Sequence, residues 1–441
     1  VLRFGTDGVR GEAFTQLTTS FVRALGVAAA RTLDGATIIV GRDTRESGPE
    51  LQRAFAEGCA SEGVVTRDLG VVPTPAVAWL SATDGLPGAM LSASHNPWQD
   101  NGVKLFAAGG RKLRDAEQDL IQSRLVALDH ADAPNSAPET ETGSIGRYID
   151  AVVSSIDGRS FEGTRVALDS ANGSASTTAR EIFERLGADV IALAESPNGR
   201  NINDGVGSTH PEFLQAAVVE HAANVGFAFD GDADRIAAVG ADGALIDGDR
   251  ILAMGAIDRR DRGALANDTV VITVMTNLGF RVAMDQAGIH MVETPVGDRH
   301  VLEALDAGGY SLGGEQSGHV IHRDLATTGD GVLTAVQLLD AALRRDVEVG
   351  AWARDVMTRY PQVLENIRTP VKIPGLLDQL ADAIAAEEQH LGSSGRVLVR
   401  ESGTEPLVRV MVEAADAEQA EASAKRLVAE VQLNVTAAQA D

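Results

Sequence analysis

Aromatic residues make up only 4% of this 441-residue chain, and it carries one cysteine, Cys59. A lone thiol excludes an internal disulfide framework. In its apolar, helix-like setting Cys59 reads as a small buried hydrophobe rather than a nucleophile. Lysine is nearly as scarce: Lys104, Lys112, Lys372 and Lys425 are the only ones, against a background of arginine. Long apolar runs are missing too. No window of about 18 uncharged apolar residues occurs, which argues against a membrane-spanning helix. The opening residues have neither the basic nor the apolar stretch of a secretory leader, so a cytoplasmic location is expected.

What the chain has in quantity is acid. Its 63 acidic residues leave a formal net charge of −25 at pH 7. That charge repels nucleic acid and anionic membranes alike, and neither is expected as a partner. An acidic, lysine-poor surface suits a halophilic protein, because high ionic strength screens self-repulsion. It also means that an anionic substrate would need positive charge gathered in one place. Hydrophobic residues reach 44% and glycines number 46. This is enough for several aliphatic cores at the usual ~100–150 residues per domain.

Strand-like and helix-like periodicities alternate from the start. Residues 37–41, 64–69 and 88–91 read as strands, and 49–62 and 115–129 as helices. Residues 132–143, rich in Ala, Pro, Ser, Thr and Glu, break the pattern and read as a linker. A second block has strands at 165–168, 190–193, 225–229 and 236–239 and a helix at 177–186. The third sets helices 249–256, 280–286, 298–305 and 330–344 around strands 270–275 and 290–293. The fourth holds strands at 363–369, 396–399 and 407–413 and a helix at 417–431. The economical reading is three similar α/β units with a smaller α+β unit after them, with domains at 1–143, 144–242, 243–358 and 359–441. The repetition is architectural; no internal sequence repeat is evident.

Several short motifs carry chemistry. The apolar run 88–91 delivers Ser92-Ala93-Ser94-His95 into a loop held by Asn96-Pro97 and Asn101-Gly102. Ser94 is thereby presented beside His95, with Lys104 a short loop away, and small residues before it leave room for a bulky group on its oxygen. A polar Asn-Pro turn between two strands would give the same string. In Asp230-Gly231-Asp232-Ala233-Asp234-Arg235, residues two apart share one side of extended backbone, so three carboxylates converge. They repel unless a cation sits among them, and hard oxygen ligands with open positions suit Mg²⁺. In so acidic a chain a solvated turn is the plainer alternative.

Gly313-Gly314-Glu315-Gln316-Ser317-Gly318-His319 places Glu315, Ser317 and His319 in a glycine-rich loop suited to sugar hydroxyls, though such hairpins are common. Arg400-Glu401-Ser402-Gly403-Thr404, followed by Arg409, offers backbone N–H groups and guanidinium contacts to a phosphate, or is a hairpin with an exposed arginine. Phe4-Gly5-Thr6-Asp7-Gly8-Val9-Arg10-Gly11 surrounds Arg10 with small residues. Of two lesser turns, Ser170-Ala171-Asn172-Gly173-Ser174 reads as an anion-facing turn or a helix cap. Val296-Gly297-Asp298-Arg299 reads as a loop and N-cap.

Together these motifs resemble the α-D-phosphohexomutase family, over essentially the whole chain and in the family's order. They match its serine loop, metal loop, sugar loop and phosphate loop, one in each expected domain. The resemblance implies four domains with mixed sheets around a central cleft, and an isomerase that works by intramolecular phosphoryl transfer. It implies that Ser94 carries phosphate and shares Mg²⁺ with Asp230, Asp232 and Asp234. Arg10 and Arg235 would stabilise the moving phosphoryl group, and Glu315, Ser317 and His319 would grip the sugar. Arg400, Ser402, Gly403, Thr404 and Arg409 would hold the phosphate that is not reacting.

Lys104 and His95 are the candidate bases implied. Lys104, its pKa depressed by Arg10 and Arg235, is preferred; His95 has the better intrinsic pKa and would otherwise orient the phosphoserine. The implied partners are small hexose phosphates and a hexose 1,6-bisphosphate, and the chain is expected as a monomer or homodimer. Bisphosphate turnover implies a hinge near residues 350–365. Ala233, Gln316 and the strings around Arg10 and Asp298 are most similar to members acting on glucosamine phosphates, with glucose- or mannose-phosphate mutases the alternative. A metal-dependent phosphohydrolase would leave the serine and phosphate loops unexplained. A non-catalytic sugar-phosphate sensor would not need every catalytic position filled. The required positive charge then lies in the motifs, as a basic cleft in an acidic shell.

The acidic surface predicts a melting temperature that falls as molar salt is dialysed away. Thermal unfolding that is unchanged between molar and millimolar salt would contradict the halophilic expectation.

Overall fold

In the computed structural model, residues 2–3, 8–128, 139–140, 144–369, 375–401 and 407–440 are described. They form four sheets, of seven, five, four and three strands. The first three sheets share one construction. Apart from an added edge strand, Val9–Glu12, at the start of the first, a central strand comes first, the second strand pairs on one side of it, and the third pairs in parallel on the other side. The chain then turns back into an antiparallel fourth strand. In the first sheet these are Thr37–Arg42, Val65–Val71, Gly88–Leu91 and Asp100–Ala107. In the second they are Arg165–Asp169, Asp189–Leu193, Val225–Phe229 and Ile236–Gly240. In the third they are Thr269–Thr273, His290–Thr294, Leu312–Gly314 and Val320–His322.

This topology positions the site. Each turn from third to fourth strand leaves the carboxyl end of a parallel strand, where open α/β sheets place their ligands. The three turns hold Ser94, Asp230 to Asp234, and Glu315 to His319. Gly88–Leu91 and Val225–Phe229 are buried at every residue. Strands covered by helices on both faces are apolar throughout, which is why they read as unbroken runs.

In the first domain, helices Thr19–Ala30 and Gly48–Ser61 approach at two glycines. A Cβ on Gly26 would lie 2.2 Å from the Phe55 carbonyl oxygen, and one on Gly58 2.0 Å from that of Arg23. Only glycine lets the two backbones come this close. Cys59 is buried beside them, and burial pushes its thiol up, in keeping with an inert side chain.

The chain divides into two compact units, Val1–Met275 with Ala287–Val356, and Thr276–Gln286 with Met357–Asp441. In the second, strands Gln362–Arg368 and Arg396–Glu401 flank Leu407–Glu413 in an antiparallel sheet. Helices Leu376–Leu391 and Ala417–Ala440 cover a core containing Leu380, Val397, Val410 and Leu427. Helix Leu278–Gln286 is tied to this unit by the buried Glu413, which accepts from Asn277 Nδ2 at 3.1 Å and Leu278 N at 3.0 Å.

Some expectations need correction. Part of the segment read as a linker, Glu139–Thr140, is a short strand parallel to Val65–Val71, and its neighbours lie outside the described residues. The helix read at 177–186 is a 3-10 turn, Ser174–Thr177, followed by Ala179–Arg185. Helix Thr74–Asp84 shows no helical signal because most of it is buried, leaving no polar face to set a period. Among the described residues no helix is long and apolar enough to cross a membrane.

Candidate active site

The loop from Asp230 to Arg235 is fixed by backbone contacts from each of the first three domains. Thr74 N donates to the Asp232 carbonyl at 2.9 Å, Ser174 N to that of Gly231 at 2.9 Å, and Gly331 N to that of Ala233 at 3.0 Å. Thr74 Oγ1 also donates to Asp232 Oδ2 at 2.6 Å. The turn around Ser174, read from sequence as an anion-facing turn or a helix cap, makes one of these contacts. It holds the acidic loop in place.

Asp230, Asp232 and Asp234 are all buried, with carboxylate oxygens within 4.8 Å of one another. Lys104 Nζ donates to Asp232 Oδ2 at 2.7 Å and Asp234 Oδ2 at 2.8 Å. One lysine does not balance three carboxylates, and among the described residues Asp232 Oδ1 and Asp234 Oδ1 are buried without a hydrogen-bond partner. Buried polar atoms of this kind are normally satisfied by a partner, which can be a water or an ion. Clustered, hard, anionic oxygens fit a divalent cation.

The carboxylates titrate apart. Burial, together with Asp234 and Asp232, pushes Asp230 up to about 8. Burial also works upward on Asp234, but Lys104, His319 and Arg235 outweigh it and hold that carboxyl well below the usual range.

Ser94 sits at the tip of its loop with φ 52°. The left-handed conformation costs an L-residue about 1–2 kcal/mol. Its Oγ donates to Asp230 Oδ2 and lies 3.4 Å from His95 Nδ1. Burial, then Arg235 and Arg10, lowers His95 to about 4, so the ring is neutral at pH 7. Arg10, on strand Val9–Glu12, packs so closely on Gly102 that a Cβ there would meet its Cγ at 2.9 Å. Arg235 N donates to Asp230 Oδ1 at 3.1 Å. These residues come together as the motifs suggest, with one change. Asp232 and Asp234 are among the partners of Lys104 Nζ, a contact that the sequence reading does not include.

In the sugar-loop motif, Glu315 Oε1 accepts from Gly297 N at 3.0 Å, and Ser317 is exposed. His319 is buried against carboxylates, with Nδ1 3.7 Å from Asp234 Oδ1 and Nε2 3.4 Å from Asp298 Oδ2. Burial alone would lower this histidine; Asp234 and Asp298 prevail and raise it. Asp298 is in turn paired with Lys112, and Arg299 with Asp115, so the turn at 296–299 joins the third domain to the first.

In the phosphate loop, Ser402, Gly403 and Thr404 lie outside the described residues. Arg400 and Arg409 face each other across two strands. Burial, then Arg409, lowers the Arg400 guanidinium. Like charges opposite one another are unfavourable in a sheet, and an anion between them would relieve the repulsion.

Sequence reasoning misses Thr74, Arg45 and Asn203. Arg45 and Asn203 both donate to the Ser94 carbonyl. Each is an ordinary polar residue far along the chain from its partner, and only the fold brings them together.

Four domain families cover most of the chain. The phosphoglucomutase/phosphomannomutase alpha/beta/alpha domains I, II and III match residues 1–131, 146–243 and 247–360, and the C-terminal domain matches 364–430. A phosphoglucosamine mutase of Thermobifida fusca is 51% identical over 435 residues, covering 96% of both chains. A phosphoglucomutase/phosphomannomutase family protein of Burkholderia thailandensis superposes with a TM-score of 0.81 at 24% identity, covering 97% of each chain. An Aspergillus fumigatus N-acetylphosphoglucosamine mutase, solved with GlcNAc-6P and magnesium, superposes at 0.70 with 17% identity, covering 98% of this chain and 96% of that one.

A protonated Asp230 must lose its proton to ligate a cation. Divalent-cation binding at pH 7 is therefore predicted to release close to one proton and to weaken as the pH falls below 8. Calorimetric titration in buffers of different ionisation enthalpy counts that proton. Zero release, with affinity flat from pH 6 to 8, would contradict the assignment.

Proposed function

The chain belongs to the phosphoglucomutase/phosphomannomutase family, and from that premise we propose that it is a phosphoglucosamine mutase, interconverting glucosamine 6-phosphate and glucosamine 1-phosphate. The observation that carries the chemistry is the Ser94 hydroxyl, buried and hydrogen-bonded to a cluster of three aspartates. The similarity to a named phosphoglucosamine mutase over nearly the full length supports the choice of sugar.

In this reading Ser94 carries the phosphoryl group. Asp230, Asp232 and Asp234 would hold Mg²⁺, which when bound supplies the positive charge that lets a phosphoryl group approach three carboxylates. The 1-hydroxyl of glucosamine 6-phosphate loses its proton and attacks phosphorus. The bond to Ser94 Oγ breaks, and glucosamine 1,6-bisphosphate forms. After the sugar turns end for end, its 6-phosphoryl group passes to Ser94 and glucosamine 1-phosphate leaves. Arg10 and Arg235 stabilise the transferring group. Glu315 and Ser317 take sugar hydroxyls, with His319 supporting them from beneath the loop. Arg400 and Arg409, with Ser402, Gly403 and Thr404, take the distal phosphate.

A base must be unprotonated at working pH. His95 meets that condition and lies near Ser94 Oγ. Lys104 is engaged by two carboxylates. We therefore assign the proton transfer to His95 and the charge balance of the aspartates to Lys104.

Steady-state kinetics with glucosamine, glucose and mannose 6-phosphates test the substrate. The amino sugar should lead in kcat/KM by at least about tenfold, roughly 1.4 kcal/mol of transition-state binding. Equal efficiency on all three would defeat the choice of sugar while leaving the family reaction intact.

A further inference from the structure

Ser94 must give a phosphoryl group away and take one back, so its oxygen has to return to the same place in every cycle. The groups that fix it converge on a buried ion pair outside all the motifs above. Asp43 and Arg45 follow strand Thr37–Arg42, which lies beside the strand that delivers Ser94. Both side chains are fully buried, and Arg45 Nε donates to Asp43 Oδ2 at 2.9 Å.

The Ser94 amide donates to Ser92 Oγ at 2.9 Å, and Ser92 Oγ donates to Asp43 Oδ2 at 2.6 Å. On the other side of the same residue, the Ser94 carbonyl accepts from Arg45 Nη2 at 3.0 Å. The ring closes: both backbone polar groups of Ser94 end on one ion pair. The remaining Arg45 donors go to the carbonyls of Asn96 at 2.8 Å, Asp100 at 2.9 Å, and Pro97. Asn203, from the second domain, donates through Nδ2 to the Ser94 and Asn96 carbonyls at 2.9 and 3.0 Å. The Ser94 carbonyl also lies against the acidic loop, where a Cβ on Gly231 would come within 2.6 Å of it. A planar, permanently charged fork with five donors can serve four carbonyls and a carboxylate at once; an ammonium, with three donors, cannot.

We propose that the Asp43–Arg45 pair, with Ser92 and Asn203, is the positioning device of the phosphoryl-carrying serine. It holds Ser94 in the left-handed conformation that turns Oγ toward Asp230, and it touches no substrate. This rests on the reading of Ser94 as the phosphoryl carrier. If Arg45 only stabilised the fold, its replacement would lower the melting temperature and leave the rate per folded molecule unchanged.

The test is single-turnover phosphoryl uptake by Ser94 from glucosamine 1,6-bisphosphate, followed by mass, alongside steady-state kcat and KM. Arg45→Lys keeps the charge and loses the fork. It should slow uptake and kcat on the order of 100-fold, the effect of about 1 Å of misplacement, with KM changed by less than about twofold. Ser92→Ala opens the ring while sparing the buried arginine, and should slow both by about tenfold. It carries the test if Arg45→Lys does not fold. Wild-type uptake and kcat in folded Arg45→Lys or in Ser92→Ala would overturn the device. A wild-type protein that takes no phosphate on Ser94 would overturn the reading beneath it, and the wild-type sample alone reveals that.

Discussion

Three carboxylates from one short loop are buried within 4.8 Å of each other, and much of the surrounding structure answers the problem they pose. Bringing like charges together in a medium that solvates them poorly is expensive unless opposite charge is built in. Lys104 supplies part of it directly, and Arg235 supplies more from the side. The remainder is charge of the kind a bound cation would supply. The same deficit makes Asp230 hold its proton up to about 8, and that carboxyl meets the Ser94 hydroxyl. The Ser94 hydroxyl and the aspartate cluster are therefore parts of one electrostatic arrangement.

The acidic loop can bear this load because the first three domains each donate a backbone N–H to it, through Thr74, Ser174 and Gly331. That convergence follows from the shared strand order. Each domain turns from a parallel strand into an antiparallel partner at the same point, so the Ser94 loop, the acidic loop and the glycine-rich loop at 315–319 occupy equivalent hairpins. Evolutionary repetition of a fold with divergent loops would look like this, since function resides in the loops and not in the scaffold.

Much of the site was legible because its residue types are chemically conspicuous. Alternating aspartates, a serine among small residues and a glycine-rich acidic loop each advertise themselves within a few positions. What stayed hidden is relational. Thr74 meets Asp232 across 158 positions, Arg45 meets Ser94 across 49, and Asn203 meets Ser94 across 109. No local pattern encodes such pairs. The two carboxylates that Lys104 meets are hidden for the same reason, being 128 and 130 positions away. In the fold, amphipathic helices and apolar strands were readable. Buried helices such as Thr74–Asp84 were not, because periodicity needs a wet face to contrast with a dry one.

The central claim is that a phosphoryl group resides on Ser94 and travels from it. The direct measurement is intact mass of wild-type and Ser94→Ala protein after exposure to a hexose 1,6-bisphosphate and a divalent cation, with mutase turnover followed in the same samples. One phosphoryl group is expected on the wild type, none on the variant, and turnover should be lost in the variant. A Ser94→Ala protein that turns over at the wild-type rate would contradict that claim.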